Sequence, residues 1–187
     1  MASTCRMKYK FLESPLGKIE LSGCEAGVHG IKLLEKRIPR PDSNHRHCET
    51  SVSENECKDP EEVIPALDKC AAWLEAYFHA PETVDCLPLP AFHHPIFQQD
   101  SFRRQVLLKL MTAVKMGDTI SYQQLAALVG KSRAARAVGG AMRNNPVPII
   151  VPCHRVIYSS GQMGNYTGAG VDVKEWLLDH EKHLKRK

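Results

Sequence analysis

The chain has 187 residues, a formal charge of +4, 43% apolar and 25% charged residues, and seven cysteines. That length holds one ordinary domain or two small ones with a real core. No apolar run approaches bilayer length, and Met1-Ala2-Ser3-Thr4-Cys5-Arg6 lacks a signal-type apolar core, so an intracellular globular protein without a membrane partner is expected. An odd, unclustered set of cysteines in a reducing compartment excludes a disulfide framework and leaves free thiols, metal ligands or a nucleophile. The mild basicity permits nucleic-acid binding without predicting it.

From Met7 to Leu34 apolar and polar residues alternate (Ile19, Leu21, Val28, Ile31, Leu33), with Gly17, Gly23, Gly27 and Gly30 between them, which predicts short antiparallel strands joined by tight turns. The pattern stops at Glu35. To about residue 62 the chain is charged, carries Pro39, Pro41 and Pro60, and reads as an exposed loop. His45, His47, Cys48 and Cys57 fall in it at spacings that match no standard zinc pattern. Leu67, Cys70, Ala71, Leu74, Tyr77 and Phe78 recur at helical spacing up to Pro81, predicting an amphipathic helix against the small sheet. Residues 1–92 thus form an α/β domain, and Pro88, Pro90 and Pro95 frame an extended connection to a second domain over 93–187.

The second domain should open with a helix capped near Asp100-Ser101 that carries Phe102, Val106, Leu107, Leu110 and Val114. Ser121-Tyr122-Gln123-Gln124 has the form of a capping box, with Leu125, Leu128 and Val129 as the buried face and Gly130 as the stop. Ser132 is placed to cap a further helix over 133–142, tiny except for Arg133 and Arg136. Two short helices and a tight turn read either as a helix-turn-helix whose small residues approach a nucleic-acid backbone, or as a plain helical hairpin. The class as a whole is α+β.

The run Asn145-Pro146-Val147-Pro148-Ile149-Ile150-Val151-Pro152-Cys153-His154-Arg155-Val156 puts a thiol beside an imidazole at the end of a stiff apolar segment. Its three prolines predict extended backbone. Neighbours on extended chain point apart, so His154 reaches Cys153 only if the backbone turns there. The dipeptide alone also reads as a core thiol beside a hydrogen-bonded histidine. Beyond it, the Gly-rich stretch 161–170 could be a flexible loop or a wall that closes over a ligand.

On Pro152-Cys153-His154-Arg155-Val156, preceded by Asn145-Pro146, the chain resembles the O6-alkylguanine-DNA alkyltransferases, vertebrate-type members in particular, and the resemblance runs from Ser14-Pro15-Leu16-Gly17 to about Glu181. It implies a ribonuclease-H-like N-terminal domain and a winged-helix-like C-terminal one. It also implies a single irreversible transfer of an alkyl group from guanine O6, and less well thymine O4, in duplex DNA to Cys153. In that reading His154 deprotonates the thiol through a water, Glu181 orients the imidazole, Asn145 is a hinge, and Tyr122 donates to the departing base. Arg136 fills the gap left by the flipped nucleotide, in the minor groove; the helix-turn-helix by itself points to the major groove. Gln123, Ser159, Arg103 and Lys131 join Tyr122 and Arg136 on DNA, and Met142, Val156, Tyr166, Thr167 and Gly168 form the base pocket. Cys5, Cys24, His29 and His93 correspond to the ligands of a structural zinc. A nuclear and cytoplasmic monomer is implied as well, cooperative binding along DNA is left open, and Lys182-His183-Leu184-Lys185-Arg186-Lys187 reads either as a nuclear-import cluster or as a fraying basic end.

The chain departs from the family pattern in three places: an extra residue near Ala169-Gly170-Val171, Thr167 in a usual Ser position, and Lys131-Ser132-Arg133 in place of Asn-Pro-Lys. Two rivals remain on sequence grounds. A lesion-sensing module without chemistry would carry Trp in place of Cys153, and a cysteine hydrolase would use Cys153, His154 and Glu181 as a triad.

Overall fold

The computed structural model describes residues 4–39, 64–166 and 169–185. The expected loop beyond residue 39, with His45, His47, Cys48 and Cys57, and the pocket positions Thr167 and Gly168 lie outside the described residues. The chain divides into two compact units, one up to His94 and one from Pro95.

In the first unit, β1 (Lys8–Ser14), β2 (Gly17–Cys24) and β3 (Gly27–Leu33) form an antiparallel meander in the order β1-β2-β3. The alternation in sequence works as expected, because period-two side chains put Leu12, Ile19, Leu21, Val28 and Ile31 on one face, where they are buried. Helix α1 (Pro65–His79) covers that face with Leu67, Cys70, Ala71, Leu74, Tyr77 and Phe78. Each large side chain so buried contributes about 1.5–3 kcal/mol. Gly27 starts β3 at φ +156°, and a Cβ there would lie 2.6 Å from the Ala91 carbonyl oxygen. Only glycine lets the segment 91–93 come this close, and it pairs with β3 through Val28 N–H to Ala91 O (2.7 Å) and His93 N–H to Val28 O (2.8 Å).

The second unit is helical. Short α2 (Pro95–Gln98) follows the non-helical residues 91–94 of the expected connection and leads to α3 (Phe102–Ala113), α4 (Tyr122–Leu128), α5 (Ala135–Arg143) and α6 (Val171–Lys185). Ser101 caps α3, its hydroxyl accepting from Arg104 N–H at 3.2 Å. The capping box on α4 forms in both directions, Ser121 Oγ with Gln124 N–H at 3.0 Å and Gln124 Oε1 with Ser121 N–H at 2.9 Å. Strands β4 (Ile120–Ser121) and β5 (Val156–Ile157) pair in parallel, Ile120 with Val156 and Ser121 with Ile157.

Three expectations fail locally. Helix α5 begins at Ala135 and has no side-chain cap, because Ala134 N–H already donates to Lys131 O (2.8 Å) and closes Ser132 into the turn. Leu128 is exposed and Val129 only half-buried, since α4 ends at Leu128 and the left-handed Gly130 (φ +75°) turns the chain away from the core formed by Leu125 and Ala126. The proline-rich run is not extended. It folds into a turn in which Pro148 bridges Val151 around Ile149, whose φ of +73° is unusual for a β-branched residue. Burial of Val147, Ile149, Ile150 and Val151 outweighs that strain.

Candidate active site

Asn145 ties the strained turn together. It is 4% exposed, its Nδ2 donates to Val151 O (2.9 Å), and its Oδ1 accepts from Val147 N–H (3.1 Å). Both ends of the turn therefore hang on one side chain, directly upstream of Cys153. At Cys153–Arg155 the chain winds into a 3₁₀ turn, so neighbouring side chains no longer point to opposite faces as they would on extended chain. Cys153, His154 and Arg155 are all buried.

Glu181, on the buried face of α6, receives this turn. It is 0% exposed and accepts from His154 Nε2 at 2.6 Å, from Arg155 Nε at 2.8 Å and Nη2 at 2.9 Å, and from Gly117 N–H at 3.3 Å. Arg155 Nη1 donates to Val114 O at 2.8 Å. Burial alone would raise the Glu181 carboxyl, but the facing imidazole and the Arg155 guanidinium outweigh it and hold the carboxyl well below the usual range. Burial pushes His154 the other way, below its ordinary value, and the attraction of Glu181 only partly offsets it. The result is an ionised carboxylate beside a neutral imidazole. With Nε2–H donated to Glu181, the lone pair sits on Nδ1, the nitrogen that can take the Cys153 proton. Another core thiol, Cys70, is a contrast: burial without a base pushes it up to about 12.

Cys153 lines a cavity of about 940 Å³ together with Tyr122, Met142, Asn165 and Tyr166, and Arg133, Arg136 and Arg143 stand at its edge. Arg136 and Gln123 are exposed, as is Ser159, which borders the same cavity. Tyr166 is buried with its ring edge-on to His154 at 6.4 Å, and burial, then Cys153 and Glu181, push its phenol well above the ordinary value. Val156 lies beneath the site rather than in the cavity wall, and Arg103 is exposed on α3 away from it. Lys131 is exposed and lies over the Phe102 ring, 5.1 Å from its centroid.

Besides Asn165 and Arg143, two buried charged residues not assigned a role from sequence belong to this site. Arg155 completes the Glu181 network. Lys174, on α6, is fully buried, donates to Val156 O (2.7 Å) and to Met163 O, and so ties the strand after Cys153–Arg155 to the Gly-rich segment. Burial lowers its ammonium to about 8, opposed by Cys153 nearby. The signal was present: Lys174, Leu178 and Glu181 recur at i, i+4 and i+7 on the apolar face of α6.

The first unit gathers a separate cluster. Sγ of Cys5 and Cys24, Nε2 of His29 and Nδ1 of His93 all lie within 4.8 Å of one another. Cys24 Sγ is 3.3 Å from His93 Nδ1 and 3.2 Å from His29 Nε2, and the two ring nitrogens are 3.2 Å apart. Ligands at about 2.0–2.3 Å from a tetrahedral metal are separated by such distances. This cluster can hold a metal ion, and the β3–segment 91–93 pairing is what delivers His93 to it.

Fold and site together define a two-unit protein whose second unit has a buried thiol, next in sequence to a carboxylate-bound histidine, lining a cavity that three arginines also line. Residues 7–91 match the family model for the ribonuclease-like domain of 6-O-methylguanine DNA methyltransferase, and residues 101–183 match the model for its DNA-binding domain. The chain belongs to the 6-O-methylguanine DNA methyltransferase family. It is 60% identical over 181 residues to the mouse methylated-DNA--protein-cysteine methyltransferase, covering 97% of this chain and 84% of that one, and 57% identical over 183 residues to the human protein of the same name, covering 98% and 84%. A crystal structure of the Mycobacterium tuberculosis enzyme in complex with DNA is similar at 32% identity and a TM-score of 0.68, over 94% of this chain and 92% of that one.

Proposed function

We propose that the chain repairs duplex DNA by moving an alkyl group from O6 of guanine to its own Cys153, once per molecule. The observation that carries this is the 2.6 Å contact between His154 Nε2 and the buried Glu181 carboxylate, which as an Nε2–H donor bond leaves the His154 lone pair on Nδ1, one residue from a buried thiol that lines the large cavity. His154 takes the thiol proton, through a water in the family's manner, and the thiolate attacks the alkyl carbon. An S–C bond forms, the C–O6 bond breaks, and the electron pair stays on guanine, which regains a proton. Tyr122 at the cavity wall is the donor for that proton. A thioether has no leaving group for water to displace, so the protein is consumed. Thymine O4 presents the same chemistry with a poorer fit.

A base inside a duplex hides this oxygen, so the nucleotide must be extruded, at a cost of a few kcal/mol. Arg136, exposed at the cavity edge on α5, is the residue to fill the gap, with α5 in the minor groove and Gln123, Ser159 and Lys131 on the backbone. The Cys5–Cys24–His29–His93 cluster is assigned zinc: two thiolates and two imidazoles at tetrahedral spacing are a closed structural set without an open position for catalysis. It would clamp the segment 91–93 onto β3. Acting on chromosomal DNA, the protein works in the nucleus.

Intact-mass measurement with peptide mapping tests the reading. One equivalent of a duplex bearing a single O6-methylguanine should add one methyl to Cys153 and never more. Tight binding without a mass change would make the chain a lesion sensor instead.

A further inference from the structure

The parallel pair β4–β5 has a consequence for the cavity. Ser121 stands opposite Ile157 in that ladder, so the next residues in register are Tyr122 and Tyr158. Their ring centroids are 5.2 Å apart at an interplanar angle of 47°. Both rings close over the same backbone: a Cβ at the left-handed Gly164 (φ +68°) would lie 2.8 Å from Tyr158 Cε2 and 3.3 Å from Tyr122 Oη. The main chain beneath Tyr158 is fixed by two hydrogen bonds, its own N–H to Gln162 O (2.8 Å) and Gly161 N–H to its carbonyl (2.9 Å). Tyr158 is nevertheless 51% exposed, and it lines both the Cys153 cavity and an adjoining one of about 510 Å³.

Resting on the transfer reading above, we propose that Tyr158 is a positioning residue for the reaction: its ring holds the Tyr122 phenol against Gly164 and aimed into the Cys153 cavity. Burial, then Tyr158 and Cys153, raise the Tyr122 phenol above its ordinary value, against the opposing Arg143. A phenol so placed stays protonated at neutral pH and can donate to the leaving guanine. A helix-initial tyrosine without a neighbour would swing between rotamers, and small misplacements of a donor cost large factors in rate.

The test compares Tyr158→Ala and Tyr158→Phe with the wild type in single-turnover transfer from two probes: a duplex with one O6-methylguanine, and free O6-benzylguanine, which needs no DNA. Tyr158→Ala should slow both on the order of ten- to a hundredfold, and Tyr158→Phe, which keeps the ring, should restore both. In a Tyr122→Phe background, Tyr158→Ala should add little, since the hydroxyl it positions is already gone. Slowing confined to the duplex would make Tyr158 a DNA contact and overturn the proposal. So would an equal penalty in the Tyr122→Phe background, or a Tyr158→Ala protein that melts normally and reacts at the wild-type rate. Absence of methyl uptake by the wild type would instead overturn the transfer reading itself.

Discussion

The two units use the same pair of residue types, cysteine and histidine, in opposite ways. In the C-terminal unit Cys153 and His154 are adjacent in sequence, and a buried carboxylate, Glu181, engages one imidazole nitrogen of His154. In the N-terminal unit Cys5, Cys24, His29 and His93 come from four places, and their ligand atoms converge on one point. Burial and the third partner decide which role a thiol plays. A carboxylate behind the imidazole makes a base, and further thiol and imidazole donors at tetrahedral spacing make a metal site. Cys70, buried among apolar side chains of α1, has neither and is pushed up to about 12.

Substitutions break this comparison most sharply at the nucleophile. Cys153→Ser should abolish methyl uptake in intact-mass spectra while duplex binding, read by fluorescence anisotropy, persists; substitution of Cys5 or Cys24 should leave uptake at one methyl per folded molecule. Next comes the network behind the base. Glu181→Gln leaves the buried Arg155 guanidinium without its anion and should lower stability in urea unfolding by about 3–5 kcal/mol. With zinc in the N-terminal cluster as proposed, chelation or His29→Ala should lower the unfolding temperature by about 2–4 °C per kcal/mol of linked stability. Elemental analysis should give one zinc per chain, lost in Cys24→Ala.

Acid distinguishes the two sites next. His154 has a folded value below its ordinary one near 6.5, so the unfolded chain takes up the proton first; the stability is present above about 6.5 and is lost as pH falls toward the folded value. Glu181, held well below the usual range, contributes stability above about 4.3 that is lost as pH falls through its folded value. Both act in the same direction. The acid limb of the transfer rate should therefore lie below pH 6.5, where a free imidazole would already be protonated. The smallest effect belongs to the cap ahead of Tyr122: Ser121→Ala should cost about 1 kcal/mol in thermal or urea unfolding.

How far the sequence carried varies from element to element. The strand meander, helix α1 and the caps at Ser101 and Ser121 were legible because local periodicity and capping chemistry act over a few residues. The start of α5 at Ala135 was not, since a main-chain turn bond from Ala134 to Lys131 displaced the side-chain cap that Ser132 could have given. The turn around Ile149 ran against the extended conformation its prolines favour, because burying Val147, Ile149 and Ile150 required it.

By itself the sequence determined the class, two small domains of α+β type, and the Pro-Cys-His-Arg-Val motif that marks the family. It did not determine that Glu181, 27 residues beyond His154, would be fully buried, that Arg155 would share its carboxylate, or that Lys174 would lock the strand after Cys153–Arg155 to the Gly-rich segment. Nor did it place Tyr158 beside Tyr122. Those are long-range encounters set by how α6 packs and by the register of a two-residue ladder. Charge, tautomer and donor geometry follow from burial, and burial is a property of the packed chain.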